Sequence, residues 1–364
     1  MKIPIENQKN TYRKPHMPIT ENVTSNIIIG NYELKMSAVC SRIKKSRYKY
    51  VGIQLPDGLR RHHQQIMDFI KKRTGAETIT FVEHCYGACD IADNDFESIG
   101  VDCLLHFGHA ELHGKHRYKI HTLFVEIQSR IDVLSSVAKA CSYITGNVGI
   151  VTTVQHIHTL PAVKKFLKEK KIKAFVGRGD SRIKYPGQVL GCNLTAAINI
   201  IDKVDNFLFI GTGNFHPLSI ALATDKEVII ADPEKNEARK VSDIKETILK
   251  QRYGAIQRAF DANSFGILIG TMTFQRRIDL AKRLKEKIER HNKKAFLMAG
   301  RDFKPEDVAY MGIDAAVSTA CPRIAIDDYL RYPIPIITPI ELEIILKERK
   351  LEDYTMDQIF GNEV

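Results

Sequence analysis

The sequence predicts an α/β protein built as three pseudo-repeated, doubly wound (Rossmann-like) domains, and three observations carry that expectation. A short apolar run with a glycine in common register opens each third of the 364-residue chain: YVGIQLPDG from Tyr50, NVGIVTTVQ from Asn147 and SFGILIGTM from Ser264. Two further strand-like runs follow in each third at similar intervals. One cysteine per third, Cys89, Cys192 and Cys321, lies just beyond an apolar run.

Each element has its own reason. Gly52, Gly149 and Gly266 mark the register of the opening strands. In the last third Ile278, Ala281, Leu284 and Ile288 recur at helical spacing among Lys, Arg and Glu, which predicts an amphipathic helix. Pro161 opens the corresponding helix of the middle third, ahead of Val163, Phe166 and Leu167. The second strands are TITFVE, KAFVGRG and KAFLMAG; the third are VDCLLHFGHA, VDNFLFIGTG and IDAAVSTACP, beginning at Val101, Val204 and Ile313. Strand, helix and strand at such spacing call for parallel crossovers. We therefore expect a polar arm over 1–24 and domains over 25–135, 136–240 and 241–364, the last with a C-terminal tail. Ligands of such sheets sit beyond the carboxyl ends of the strands, where all three cysteines fall. Thiolates so distant in sequence meet only where three units face one another, and a soft metal centre is the usual reason, so the domains should surround a central cluster site.

Composition narrows the class. A hydrophobic content of 44% supplies core for two or three domains. The opening MKIPIENQKNTYRKPH lacks an apolar signal core, and no run approaches the roughly eighteen residues that cross a bilayer. We expect a cytoplasmic protein with no membrane partner. Seven cysteines, an odd number in a long chain, favour reduced thiols, so the sequons at Asn22 and Asn193 should carry no glycan. The net charge of +11 raises a nucleic-acid partner. Much of the excess lies on helix-like KKFLKEKKIK and AKRLKEKIERHNKK, however, and no nucleic-acid motif is present. Charge of this kind serves as well to dock an acidic or ribosome-associated protein.

The cysteines divide by context. Cys40, Cys103 and Cys141 fall inside apolar patterns (SAVCSRI, VDCLLHF, AKACSYI), the setting of small buried hydrophobes. Cys85 and Cys89 form Cys-x-x-x-Cys around Gly87, which resembles the start of the radical-SAM signature CxxxCxxC, but Ala92 stands where its third cysteine would be. Remaining ligands must come from elsewhere. Cys192 ends YPGQVLGC, punctuated by Pro186, Gly187 and Gly191 and leading into the helix-like NLTAAINII; Cys321 precedes Pro322, a residue suited to open a helix. Iron–sulfur clusters are normally held by four thiolates, so three leave one iron open. Closed zinc sites want a fourth Cys or His.

YVGIQLPDGLR, YGACDIAD, LLHFGHAEL, QVLGC, GTGNFHP and STACPRIAIDDY resemble, in order from about Asn31 to Leu346, the diphthamide-biosynthesis iron–sulfur enzymes, the 2-(3-amino-3-carboxypropyl)histidine synthases, in their archaeal form. The resemblance implies a 4Fe-4S cluster on Cys89, Cys192 and Cys321, with S-adenosylmethionine at the open iron. It implies cleavage of the bond from sulfur to the gamma carbon and transfer of a 3-amino-3-carboxypropyl group to C2 of a histidine on translation elongation factor 2. A homodimer and an external electron donor are also implied. Cys85 is not carried over as a ligand.

Other residues are candidates for holding S-adenosylmethionine. Gln54, Asp57 and Gly58 end the first strand of the first third, although Pro-Asp-Gly is also an ordinary turn. Gln155 and His156 end the matching strand of the middle third, Gly211 and Gly213 form a lone Gly-x-Gly ahead of His216, and Arg323 suits a carboxylate. His106, His109 and His113 have spacing a metal uses, but a long loop of His, Lys and Arg is more often solvated surface. His109 aligns with Cys321 and so should view the same cavity. Two other classes remain: a quinolinate-synthase-like enzyme using the open iron as a Lewis acid, and a basic binding protein with zinc or no metal. Colour after anaerobic purification separates the last from the others.

Overall fold

The three thirds fold into sheets with one strand order, as seen in a computed structural model that describes residues 20–21, 26–114 and 118–363. In the first, β1 (Tyr50–Gln54) lies between β2 (Glu77–Thr80) and β3 (Cys103–Phe107), with β4 (His121–Val125) beyond β3, all parallel. The second repeats this with β5 (Val148–Thr152) between β6 (Ala174–Phe175) and β7 (Asn206–Ile210), then β8 (Glu227–Asp232) and an antiparallel edge, β9 (Glu237–Lys240). The third places β10 (Ser264–Gly270) between β11 (Lys294–Gly300) and β12 (Ala315–Ser318), followed by β13 (Ile336–Ile337). The fourth strands carry no signal we singled out in the sequence. A small antiparallel sheet of Thr20–Glu21, Ile27–Ile29, Tyr32–Leu34 and Ile127–Ser129 is also not foreseen.

One hydrogen-bond corner recurs. Asp102, Asp205 and Asp314 stand just before the third strands, and their carboxylates accept the backbone N–H groups of Tyr50, Asn147 and Ser264 at 2.9, 2.7 and 2.8 Å. The Val/Ile-Asp pairs therefore lock the start of each central strand to its neighbour. Gly149 and Gly266 are needed by their neighbours: an added Cβ would lie 2.5 Å from the Phe207 ring or 2.4 Å from Ile313.

Strand periodicity produces the double winding. Side chains alternate across each sheet, so Val51, Ile53, Cys103 and Leu105 join the core under helices Ser37–Ser46 and His63–Thr74, while Leu104 faces Phe96 on the other side. In the second sheet Phe207 and Phe209 face one core and Leu208 and Ile210 the other; in the third Ile267 and Val317 oppose Leu268 and Ala316. The helix Ile278–Arg290 buries Ala281, Leu284 and Ile288, the stripe its sequence predicts.

Three local expectations are corrected. KAFVGRG yields only two strand residues, because Gly177 passes so close to Ala196 that a Cβ would lie 2.0 Å from its carbonyl oxygen, and the chain leaves the sheet early. NLTAAINII forms one turn, Thr195–Ile198, and then a 3-10 turn, Ile201–Lys203. Pro322 precedes the short helix Arg323–Ile326 as its N-cap instead of occupying its first position. Of the polar arm, 1–19 and 22–24, with Asn22, lie outside the described residues, as do Lys115, His116 and Arg117 of the basic loop. Asn193 is fully buried, its amide donating to Asp180 and to the Ile359 carbonyl, and so offers no glycan site. Among the described residues no helix is long and apolar enough to cross a membrane.

Candidate metal centre

Cys89, Cys192 and Cys321 line one cavity of about 230 Å3. Cys89 reaches it on the loop from β2 to the helix Asp93–Ser98, Cys192 on the loop from β6 to the turn Thr195–Ile198, and Cys321 between β12 and Arg323–Ile326. Two thiols thus follow second strands and the third follows a third strand. Counting from Val101 and Ile313, the first-third partner of Cys321 is His109, which lines the same cavity.

The thiols feel one another. Burial, then the nearby Cys192, pushes Cys89 up to about 11, although the Gln275 amide partly offsets this from 3.3 Å. Burial first, then Cys89 and Cys192, raise Cys321 far above the ordinary thiol range. Three anionic sulfurs in so small a space are costly without a cation, and a bound metal supplies it. No carboxylate lines the cavity among the described residues, whereas Arg182 and Arg323 do. An all-sulfur donor set with cationic neighbours fits a soft metal or an iron–sulfur cluster. Gly191 sets the approach of Cys192, since a Cβ there would lie 1.8 Å from the Phe215 ring.

The other cysteines stay away from this wall. Cys40 and Cys103 are buried in the first core, and Cys141, half-buried rather than fully so, sits against Val137. Cys85 is buried, and burial raises its thiol far above the usual range. Its sulfur and one ring nitrogen each of His106 and His109 lie within 4.8 Å of one another.

A second cavity, of about 740 Å3, joins the first along His109, Thr153, Gln155 and His216. Gln155 and His216 therefore stand at the junction, Gln155 donating to the Gly108 carbonyl at 3.0 Å and His216 stacked on Phe209. Arg323 lies on the cavity wall, over the Phe215 ring and 2.7 Å from the Asp327 carboxylate. Gly58 and His156 line the larger cavity, and Gly211 and Gly213 flank Thr212, which does so too. Gln54 is fully buried behind the wall, bonded to Asp90, Ala92 and His106. Asp57 points away, pairing with Arg60 and His84 at the surface. His113 is exposed and lines neither cavity.

Two residues on the site escaped the sequence reading. Arg182 is fully buried on the cavity wall, its Nη1 donating to the Ile359 carbonyl and its Nε without a partner. Gln275 donates toward Cys89. Neither carries a signal that separates it from the many other polar residues of the chain.

A family model for diphthamide synthesis proteins matches residues 55–355. The chain belongs to this family. It is 35% identical to the 2-(3-amino-3-carboxypropyl)histidine synthase of Pyrococcus horikoshii, over 91% of this chain and 94% of that protein. It is 28% identical to 2-(3-amino-3-carboxypropyl)histidine synthase subunit 1 of Caenorhabditis elegans, over 88% of this chain and 81% of that one. The crystal structure of Dph2 from Pyrococcus horikoshii with a 4Fe-4S cluster superposes with a TM-score of 0.84 at 33% identity, covering 91% of this chain and 95% of that one. The mixed α/β architecture with parallel sheets is thus that of the family.

Proposed function

We propose that the protein transfers a 3-amino-3-carboxypropyl group from S-adenosylmethionine to C2 of a histidine on translation elongation factor 2, the first step of diphthamide biosynthesis. One observation carries this: thiols from three separate sheets meet in a cavity that no carboxylate lines among the described residues. On this reading Cys89, Cys192 and Cys321 would hold a 4Fe-4S cluster, and the similar Dph2 of Pyrococcus horikoshii has a crystal structure with such a cluster. Bound there, such a cluster with one iron free of protein ligands supplies the electron that breaks the bond from sulfur to the gamma carbon.

The chain's own residues bind and orient. Arg182 and Arg323 put positive charge on the wall for the amino-acid carboxylate, while Gln155 and His216 bound the passage to the larger cavity. That cavity, with Gly58 and Thr212 on its wall, has room for the rest of the cofactor or for an incoming imidazole. A homodimer, an external electron donor and a cytoplasmic setting go with this assignment. Reduced protein given S-adenosylmethionine should release 5′-methylthioadenosine, and elongation factor 2 should gain one aminocarboxypropyl group on a histidine. Predominant 5′-deoxyadenosine, or an unmodified factor beside an intact reduced cluster, would overturn the assignment and favour Lewis-acid chemistry of the quinolinate-synthase kind.

A further inference from the structure

At the junction of the two cavities stands a histidine whose protonation state is set by a chain of hydrogen bonds. The chain begins at two backbone groups that admit no ambiguity. The Asp90 carbonyl can only accept, and takes a hydrogen bond from Gln54 Nε2 at 2.8 Å; the Ala92 N–H can only donate, and gives one to Gln54 Oε1 at 3.2 Å. The orientation of the Gln54 amide is thereby fixed. Its Oε1 also lies 2.9 Å from His106 Nδ1, which must then carry the proton. His106 is fully buried, and burial, followed by the neighbouring His109, holds its proton affinity well below the usual imidazole range, so the ring is neutral and its Nε2 is bare. That bare nitrogen lies 3.0 Å from His109 Nδ1, which must be the donor. What remains on His109, which lines both cavities, is the Nε2 lone pair.

We propose that His109 is the base that receives the C2 proton of the substrate imidazole, and that His106 and Gln54 are the positioning residues that keep its Nε2 free. This rests on the transferase assignment above. A carbon radical that adds to C2 of an imidazole forms the new carbon–carbon bond and leaves that carbon with one hydrogen and one electron in excess. The oxidised cluster that Cys89, Cys192 and Cys321 would hold would take up that electron, which closes the redox balance, and the C2–H bond breaks with its proton passing to His109 Nε2. Rearomatisation then yields the substituted imidazole. The imidazolium formed on His109 still donates through Nδ1 to His106, so no hydrogen bond is lost on protonation.

The groups around His109 suit this role. Burial lowers its proton affinity to about 4, so at neutral pH it stands ready as a free base, and the Phe107 carbonyl works in the opposite, stabilising direction once it is charged. Cys85 beside it is held as a neutral thiol by burial and adds no competing charge. His216 shares the junction, and burial, then Arg323, lowers it likewise to about 4, but its ring lies against those of Phe209 and Phe215 and no hydrogen-bond chain like that of Gln54 and His106 orients it among the described residues. It is poorly placed to take up a proton.

Histidine ring 15N spectra of the full-length protein, assigned with His109→Gln, should show His109 as the Nδ1–H tautomer at neutral pH. Single-turnover assays with elongation factor 2 follow both products. His109→Gln and His109→Ala should still release 5′-methylthioadenosine, while transfer to the factor falls at least about a hundredfold, the scale of a lost general base. A factor deuterated at C2 of the target histidine should show a primary isotope effect on transfer in these variants that exceeds that of the unaltered protein. Transfer by His109→Gln at the unaltered rate, an Nε2–H tautomer, or ring signals that shift with Cys85→Ser as they would for a cation held by Cys85, His106 and His109, overturns the proposal and leaves the transferase assignment standing. Failure of the unaltered protein to transfer overturns both.

Discussion

The backbone N–H of Ile359 donates to the carbonyl oxygen of Cys192 at 2.7 Å. This joins the C-terminal tail to the loop that presents a candidate ligand. Around it, Leu194 N–H donates to Gln358, Asn193 and Arg182 donate to the Ile359 carbonyl, and Gly361 N–H donates to Asp180. Arg277 of the third sheet's crossover pairs with Asp357 at 2.8 Å, both almost fully buried. The tail therefore clamps the second third onto the third at the site.

Asp357→Ala should cost stability and metal together. Breaking a buried ion pair by removing one partner leaves an uncompensated charge and costs about 3–5 kcal/mol. Glu363, 3.3 Å from Arg277, remains as a partner, so we expect a loss at the lower end of that range. Chemical denaturation reads the stability, and iron per chain after anaerobic reconstitution reads the site. Normal iron at reduced stability would mean that the clamp holds the fold without shaping the Cys192 loop.

Cys89→Ala, Cys192→Ala and Cys321→Ala should each lose most bound iron and all transfer activity, because each removes one of three donors on the cavity. Cys40→Ala, Cys103→Ala and Cys85→Ala should retain iron, since none of these lines that cavity. Air exposure should bleach the protein while far-ultraviolet circular dichroism holds steady, as the three cores are built from apolar side chains apart from the thiols. Full iron in Cys192→Ala would remove the ligand assignment.

Much of the fold was legible because it rests on local periodicity. The apolar run in VDNFLFIGTG and the helical stripe Ile278, Ala281, Leu284 and Ile288 are properties of single elements, and both survive in the folded chain. That Cys89, Cys192 and Cys321 come to one cavity was legible because each stands within two residues of a glycine or proline beyond an apolar run. Arg182 and Gln275 were not, since their place at the site depends on how the thirds dock: Arg182 is fixed by carbonyls of Phe274 and Ile359, far along the chain. Gln54 illustrates the opposite case. A strand end is a natural ligand contact, but here the side chain is fully buried and bonds to His106.

Gly191→Ala should damage the site more than Gly213→Ala. At Gly191 a methyl group would overlap the Phe215 ring, which is itself held under Arg323, so Phe215 or Cys192 must shift. Around Gly213 there is open space, and the penalty is confined to its left-handed backbone, φ 78°, about 1–2 kcal/mol for a residue with Cβ. Iron content should fall sharply in the first variant and little in the second. Equal retention of iron would show that the Phe215 ring yields freely.

Stability should decline as pH falls from about 6.5 toward 4. Burial lowers His109, His156 and His216 each from the ordinary imidazole value of 6.5 to about 4. In that window the unfolded chain binds protons that the folded chain refuses, so stability rises with pH and is lost on acidification. Each of the three, and His106, which burial holds well below the usual imidazole range, contributes up to one proton taken up on unfolding. The pH dependence of the denaturation midpoint counts them, and His156→Gln should flatten the slope. A flat profile between pH 4.5 and 6.5, or a slope of opposite sign, would contradict these environments.

Thiol reactivity in metal-stripped protein tests the electrostatics of the site by opposite signs. Cys89 is pushed from 9.0 up to about 11 by burial and then by Cys192, so near pH 8 its thiolate population, and its alkylation rate, should be roughly a hundredfold below that of an ordinary thiol. Removing Cys192 takes away a neighbouring negative charge that disfavours the Cys89 thiolate, so Cys192→Ala should speed alkylation of Cys89. Removing Gln275 takes away a hydrogen-bond donor at 3.3 Å that favours the thiolate, so Gln275→Ala should slow it. Peptide mass spectrometry after timed iodoacetamide treatment measures both rates on the same residue. A change in access alone would move both variants in the same direction, toward faster reaction, because each substitution opens space beside the sulfur. Divergent changes would show that the three thiols are coupled by charge, as ligands that share one metal centre must be.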